Sequence, residues 1–263
     1  MSKKSLQDLR REVSGFTDEI RRELKEHVSE IREELERRFG TDDSHVVFRA
    51  LPKPRRLNMP LTEVLERRQT RRTFSDEPLS DLDMATILWA ADGINRSSGR
   101  RTTPTALDWR ETDIYLLKSN GIWRWVPEKN GLLFCELADL RSETFFAAPH
   151  LKVAPVHIVY VSNRPRTETL ISRLGEGVVE KLRHSAWTPE KLEEMRTRSM
   201  IIDVGAKIQA VYMAAAAMDL SCVARTGFDA HHVERILRLQ KGESVVAIQT
   251  LGYRPNSILD AIK

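Results

Sequence analysis

Three side chains that favour anions lie close together in the run from Arg67 to Phe74. Arg68, Thr70 and Arg72 alternate at two-residue spacing, and in an extended segment that spacing puts them on one side. A guanidinium group binds a phosphate through two parallel hydrogen bonds, and a hydroxyl adds one more donor. The pattern therefore fits one compact anion, such as the phosphate of a mononucleotide. This stretch from Arg67 to Phe74, called the basic run below, could equally be a solvated surface segment. Its composition alone leaves both interpretations open.

The sequence lacks the usual motifs of an enzyme that supplies its own nucleophile or metal. It contains no G-x-S-x-G, H-E-x-x-H, Walker or G-x-G-x-x-G motif. Cys135 and Cys222 make neither a disulfide framework nor a metal set, and His231 and His232 have no second ligand cluster. An enzyme of this kind usually relies on an organic cofactor, and the basic run indicates a phosphorylated one.

Residues 1–40 predict one long amphipathic helix. Apolar residues recur there at spacings of three and four, with a mean of about 3.7 residues, which keeps them on one helical face; they are Leu6, Leu9, Val13, Phe16, Ile20, Leu24, Val28, Ile31, Leu35 and Phe39. This face must pack either along its own subunit or on a partner, most simply a second copy of the chain. Residues 41–57, rich in Asp, Pro and Arg, predict a linker, and a larger domain follows over 58–263.

Within the larger domain, β-rich runs alternate with turn signals. Asn-Gly dipeptides at 120–121 and 130–131 separate such runs and predict two successive hairpins. Residues 155–161 predict a buried central strand because they are apolar almost throughout.

Helix signals recur through the same domain. A helix near 60–68 precedes the basic run, and Ser80 and Asp229 predict the N-caps of two others, the latter running to about residue 239. Residues 205–218 are apolar on almost every side and predict a buried helix. A separate helix is expected to start at 188–190 within the charged region before it.

Further motifs follow the basic run in order, and together they carry a family resemblance. They are Trp-Ala-Ala-Asp-Gly-Ile-Asn at 89–95, Pro-Thr-Ala-Leu-Asp at 104–108, Asp-x-Gly-x-x-x-Gln at 203–209, Gly-Phe-Asp at 227–229 and Leu-Gly-Tyr at 251–253. With Arg68, Thr70, Arg72 and Phe74, they make residues 58–254 resemble the FMN-dependent nitroreductase family. The 89–95 stretch and the tight hairpins look closest to the branch of SagB/ThcOx-type dehydrogenases.

The resemblance implies a fold, a cofactor and an assembly. The expected fold is α+β, with a mixed, mainly antiparallel sheet flanked by helices and residues 58–263 as the FMN-binding nitroreductase-like domain. The expected unit is a homodimer with FMN at its interface and NAD(P)H as electron donor. No catalytic side chain and no metal are expected. The cofactor-binding residues carried over by the motifs are Arg68, Thr70, Arg72, Thr105, Ala106, Asp108, Thr226 and Gly227.

Each part of this set has a role that the resemblance implies. The basic run holds the phosphate and ribityl chain and flanks the pyrimidine edge. The 104–108 loop packs against the flavin, often from the other subunit. The 226–227 segment places a backbone N–H near flavin N5, where a donor stabilises the charge that develops during reduction.

Two positions depart from the family pattern. Asp108 stands where the family usually has Asn, and an ionised carboxylate can only accept hydrogen bonds. It would repel a reduced, anionic flavin unless it is paired, and Arg110 is the candidate partner. Thr226 stands where the nitroreductases often have Glu, so substrate or donor preference is expected to differ. Arg254 and Lys263 are the remaining candidates for further phosphate contacts.

The expected reaction is a ping-pong transfer from NAD(P)H through FMN to an electron-poor acceptor such as a nitroaromatic or a quinone. One alternative within the same fold is a SagB/ThcOx-type dehydrogenase that oxidises an azoline-like ring. The alternative from another class is a non-catalytic scaffold or nucleic-acid-binding protein that uses the N-terminal helix and the basic run.

Charge and hydropathy favour a cytoplasmic location. The formal net charge is +4, which is spread along the chain and permits nucleic-acid contact without arguing for it. No apolar run approaches 18 residues, and the charged N-terminus lacks the apolar core of a secretory signal. Neither a membrane nor a nucleic acid is therefore expected as a partner.

Overall fold

Strand pairing in the computed structural model confirms the predicted α+β class. The structure describes residues 47–145, 153–165 and 189–255. Its strands are β1 (Phe48–Ala50), β2 (Thr112–Lys118), β3 (Gly121–Val126), β4 (Gly131–Glu136), β5 (Val156–Asn163), β6 (Leu220–Arg225) and β7 (Glu243–Tyr253). They form one sheet in the order β1-β4-β3-β2-β5-β7-β6. Every pairing among these residues is antiparallel, where the sequence predicted a mixed, mainly antiparallel sheet.

Four α-helices flank the sheet within the described residues: α1 (Leu61–Arg67), α2 (Asp81–Asp92), α3 (Pro189–Ala217) and α4 (Ala230–Ile236). Both predicted N-caps are confirmed. The Ser80 hydroxyl accepts a hydrogen bond from the Asp83 N–H at 3.1 Å, and the Asp229 carboxylate accepts one from the His232 N–H at 3.0 Å. Short 3-10 helices cover Ala106–Asp108, Pro127–Lys129 and Ser142–Thr144.

The start of the sheet differs from the predicted domain boundary. The helix predicted over residues 1–40 lies outside the described residues. The predicted linker over 41–57 contains β1, which pairs with β4 from Phe48↔Leu133 to Ala50↔Gly131. The Leu51 N–H continues this pairing by donating to the Asn130 carbonyl at 2.9 Å. The sheet therefore begins before residue 58.

Both predicted Asn-Gly hairpins are confirmed, and backbone geometry explains their turns. Gly121 has a φ of 129°, and a Cβ there would lie 2.6 Å from the Glu136 carbonyl oxygen. Asn130 has a φ of 44°, in the left-handed region that asparagine tolerates better than most residues. These two turns place β2, β3 and β4 side by side.

The predicted central strand, β5, separates two apolar layers. Ile158 and Tyr160 pack in the cluster that includes residues of α2 and α3. Val159 and Val161 pack on the opposite face with Val233 of α4. This alternation follows from the two-residue period of a strand that is buried on both faces.

The longest of the described helices, α3, joins two helices that the sequence predicted separately. It begins at Pro189 and continues through the apolar stretch to Ala217. By length and composition alone, its stretch Glu193–Ala217 could cross a membrane. Its residues Val204 and Val211 instead belong to the core cluster, and core helices share this composition. The helix carries the side chains that hold the site described next.

Candidate functional site

The basic run lies beside β6, at one edge of the sheet. The Arg71 N–H donates to the Cys222 carbonyl at 3.0 Å, and the Ser75 N–H donates to the Tyr253 carbonyl at 2.9 Å. Phe74 is buried in a small apolar cluster with Ala154 and Val223. Residues 68–75 therefore lie against β6 and the end of β7 without forming a strand of their own.

Two of the predicted anion-binding side chains share one neighbour. The Arg68 guanidinium carbon lies 5.7 Å from the centre of the Tyr212 ring. The Thr70 hydroxyl oxygen lies 3.4 Å from the Tyr212 hydroxyl oxygen. Arg68 and Thr70 are thus on the same side, as their spacing predicts. Arg72 is exposed, and its place beside them stays a prediction.

Arg71 faces a different group. One of its guanidinium nitrogens lies 3.5 Å from a carboxylate oxygen of Asp219, and Arg254 binds the same carboxylate at 2.7 Å. Arg254, a candidate for a further phosphate contact, is therefore paired with Asp219. The other candidate, Lys263, lies outside the described residues.

Tyr212 of α3 joins two of the predicted motifs, although it was not among the predicted site residues. Its hydroxyl accepts a hydrogen bond from the Ala224 N–H of β6 at 2.8 Å and lies beside Thr70. A tyrosine in an apolar helix gives no sign of such a role until its distant partners are known. One hydroxyl thereby links the basic run to the end of β6, next to Thr226 and Gly227.

The turn after β6 leaves open space beside its glycine. Thr226 and Gly227 are exposed, and the Phe228 N–H donates to the Thr226 carbonyl at 3.1 Å. A Cβ placed on Gly227 would meet nothing within 4 Å. A planar ligand can therefore approach this backbone closely.

An acidic side chain of α3 holds the 104–108 loop through hydrogen bonds. The Ala106 N–H donates to both carboxylate oxygens of Asp203, at 3.2 and 3.0 Å. Burial raises the pKa of the Asp203 carboxyl, and hydrogen bonds from the Ala106 N–H and the Thr105 side chain oppose that rise. One turn later on α3, the Lys207 ammonium pairs with buried Asp92 of α2. These contacts fix the base of the loop that carries Thr105, Ala106 and Asp108.

Asp108 is paired with Arg110, its candidate partner from the sequence. The Arg110 Nε and Nη2 donate to the two Asp108 oxygens at 3.0 and 2.9 Å. Both residues have left-handed backbones, with φ of 56° and 52°. Aspartate and asparagine tolerate this region better than most residues, so an aspartate can replace the usual asparagine without a change of backbone. The charge of the carboxylate is largely offset by its partner.

The structure holds the predicted site residues at two separate points of α3. Tyr212 holds the basic run and the end of β6, whereas Asp203 holds the 104–108 loop. Nine residues of α-helix separate the two points, which is about 13 Å along the axis. Within one chain, the two groups of site residues are therefore anchored at different points of the helix. In the described ranges, no group of three or more His, Cys, Asp or Glu side chains could hold a metal ion.

Comparison with known proteins confirms the family resemblance. A model of the nitroreductase family matches residues 64–253. A candidate nitroreductase of Methanocaldococcus jannaschii is 22% identical over 190 residues, which cover 69% of this chain and 85% of that protein. The crystal structure of a candidate nitroreductase of Ralstonia eutropha has a TM-score of 0.67 and 28% identity, covering 80% of this chain and 90% of that chain.

A flavin enzyme of known activity shares the fold at lower identity. The NADPH:FMN oxidoreductase of Vibrio harveyi, in complex with NAD+, has a TM-score of 0.51 and 17% identity, covering 74% of this chain and 69% of that chain. At this identity the likeness concerns the fold alone.

Proposed function

The chain belongs to the nitroreductase family, and on that premise we propose that it is an FMN-dependent oxidoreductase. It takes electrons from NAD(P)H and delivers them to an electron-poor acceptor such as a nitroaromatic or a quinone. The observation that carries this proposal is the link that Tyr212 makes between the basic run and the end of β6. The activity of the Vibrio harveyi neighbour supports the choice of cofactor and donor.

The described residues fit FMN. Arg68 and Thr70 offer a guanidinium group and a hydroxyl on one side of the chain, which suits the phosphate. The exposed backbone of Thr226 and Gly227 offers N–H donors, and the open space beside Gly227 admits a flat ring. FMN, when bound, supplies the two-electron chemistry that the described side chains lack. The protein contributes binding, orientation and fixed donors near the reacting atoms.

We further propose that two copies of the chain complete each site. Ile201 and Ile202, in the middle of α3, are 54% and 68% exposed although the other side of the helix is core. One turn later, a Cβ on Gly205 would meet nothing within 4 Å, so a second chain could approach closely. In the proposed dimer, the 104–108 loop of the second copy lies at the Tyr212 end of the first. This places Thr105, Ala106 and Asp108 against the flavin of the partner.

Rapid mixing without oxygen tests the proposed reaction. Protein reconstituted with FMN is mixed with NADH or NADPH while the flavin absorbance is followed, and a nitroaromatic or quinone is then added. We expect one donor to bleach the flavin and the acceptor to restore it. Flavin that neither donor reduces, but that an azoline-bearing peptide does, would favour the SagB/ThcOx-type alternative. A colourless protein that binds nucleic acid in a salt-sensitive manner would favour the alternative from another class.

A further inference from the structure

Arg225, the last residue of β6, is a largely buried cation. Its hydrogen-bond partners within the described ranges are all uncharged groups. Its Nη1 donates to the Thr144 carbonyl at 2.6 Å, and its Nη2 donates to the Thr144 hydroxyl at 2.5 Å. Its Nε lies 3.4 Å from the Thr250 hydroxyl, and its Nη2 lies 3.3 Å from the His157 Nδ1. The guanidinium carbon lies 4.2 Å from the centre of the Phe145 ring. None of these partners carries a negative charge.

Among the described residues, no carboxylate pairs with Arg225. Asp139, the carboxylate whose charge acts on the neighbouring His157, is bound by Arg141 through two hydrogen bonds, at 2.8 and 2.6 Å. Burial lowers the pKa of Arg225 to about 10, which still leaves the guanidinium charged at neutral pH. A buried charge without a counter-charge destabilises a fold. An action of this charge on a bound ligand would offset that cost.

The position of Arg225 indicates that role. It directly precedes Thr226 and Gly227, so at most about 7 Å separates its Cα from that of Gly227. We propose that the uncompensated charge of Arg225 stabilises the negative charge of reduced FMN bound at this turn. The inference rests on the proposed function and deepens it. For an assumed separation of about 10 Å between the guanidinium and the flavin, an effective dielectric constant near 20 favours the reduced state by on the order of tenfold.

Redox titration of the FMN-loaded protein tests the proposal. The variants are Arg225→Gln, which keeps a hydrogen-bond donor, Arg225→Met, which keeps the bulk, and Arg225→Lys, which keeps the charge. Arg49→Met is the matched control, because Arg49 lies on β1 at the opposite edge of the sheet and pairs with Asp81. We expect the two neutral variants to bind reduced FMN about tenfold less tightly relative to oxidised FMN. For a two-electron couple, that lowers the midpoint potential by about 30 mV. The Arg225→Lys and Arg49→Met variants should stay near the wild-type potential.

Several outcomes would overturn the proposal. If Arg225→Gln or Arg225→Met binds FMN with the same midpoint potential as the wild-type protein, the charge of Arg225 does not stabilise the reduced flavin. Loss of folding in both neutral variants, with recovery in Arg225→Lys, assigns the charge to the fold and also counts against it. A wild-type protein that binds no FMN refutes the proposed function itself, and is recognised before any variant is titrated.

Discussion

Neighbouring residues of the basic run have different partners, and this difference decides which of them can meet a ligand. Arg71 binds Asp219 through its side chain and the sheet edge through its N–H. Arg68 and Thr70 lie on the other side, at Tyr212. The two-residue spacing was enough to predict that Arg68 and Thr70 share a side. The tyrosine that fixes them could not be predicted, because it lies 142 positions from Thr70 in the chain.

Replacing Arg68 or Arg72 by Ala should weaken FMN binding by roughly 2 kcal/mol, because each change removes a charge-assisted hydrogen bond to the phosphate. Arg71→Ala is the matched control and should have a smaller effect, since its side chain is paired with Asp219. Flavin fluorescence titration measures the three dissociation constants. Equal losses for Arg71→Ala and Arg72→Ala would contradict the proposed alternation.

His157 gives the fold a dependence on pH. Burial, and then the charges of Arg225 and Arg141, lower the pKa of His157 to about 3, while Asp139 acts in the opposite direction. Below about pH 6.5 the His157 side chain of the unfolded chain binds a proton, whereas the buried ring of the folded protein stays neutral. The free energy of unfolding therefore falls as the pH falls. Between pH 7 and pH 5, wild type should lose about 2 kcal/mol of unfolding free energy beyond the loss in His157→Gln. Urea denaturation across this range measures the difference. Parallel pH dependences in the two proteins would show that His157 is not held neutral.

At the scale of elements, α3 determines the geometry of the site. The apolar composition of its second half predicted a buried helix there. The full length of α3 was not predicted, because its first half is rich in charged residues and was assigned to a separate helix. The roles of Asp203 and Lys207 were also missed. Their partners lie 97 and 115 positions away, and a charged side chain reads as solvated until its partner is known. A backbone N–H for Asp203 and an opposite charge for Lys207 thus let these residues occupy the core without a local signal in the sequence.

Tyr212→Phe should weaken FMN binding about five- to tenfold, since the Ala224 N–H loses its acceptor and the basic run loses its tie to β6. Tyr253→Phe is the matched control. Its hydroxyl bonds Asp83 at 2.6 Å and Ser80 at 3.1 Å, at the start of α2. Both variants should melt at lower temperature, and only Tyr212→Phe should bind FMN less tightly. An unchanged FMN affinity in Tyr212→Phe would remove the tyrosine from the site.

At the scale of the whole molecule, turn chemistry and apolar runs predicted the hairpins, the central strand and the fold class. The order of the strands could not be predicted this way, because β1 pairs with β4, β2 with β5 and β5 with β7 across long stretches of the chain. Nor did the sequence show that β1 begins inside the predicted linker. The strand has three residues, all of them exposed, so it carries no apolar period.

Ile202→Glu should convert the proposed dimer to a monomer, because it places a charge on an apolar face that a second copy would desolvate. The monomer should also lose FMN, since the partner's 104–108 loop would be absent. Leu137→Glu is the control, as Leu137 is 80% exposed and follows β4 rather than α3. Sedimentation equilibrium gives the mass of each protein. If the wild-type protein is a monomer and still binds FMN tightly, the proposal of a shared site is refuted.

The absorption spectrum of the purified protein tests the central claim most directly. We predict flavin bands, either as purified or after incubation with FMN, and release of FMN rather than FAD on denaturation. Arg68→Ala, purified in the same way, should carry less flavin. A correctly folded wild-type protein that shows no flavin bands even after reconstitution would contradict the account.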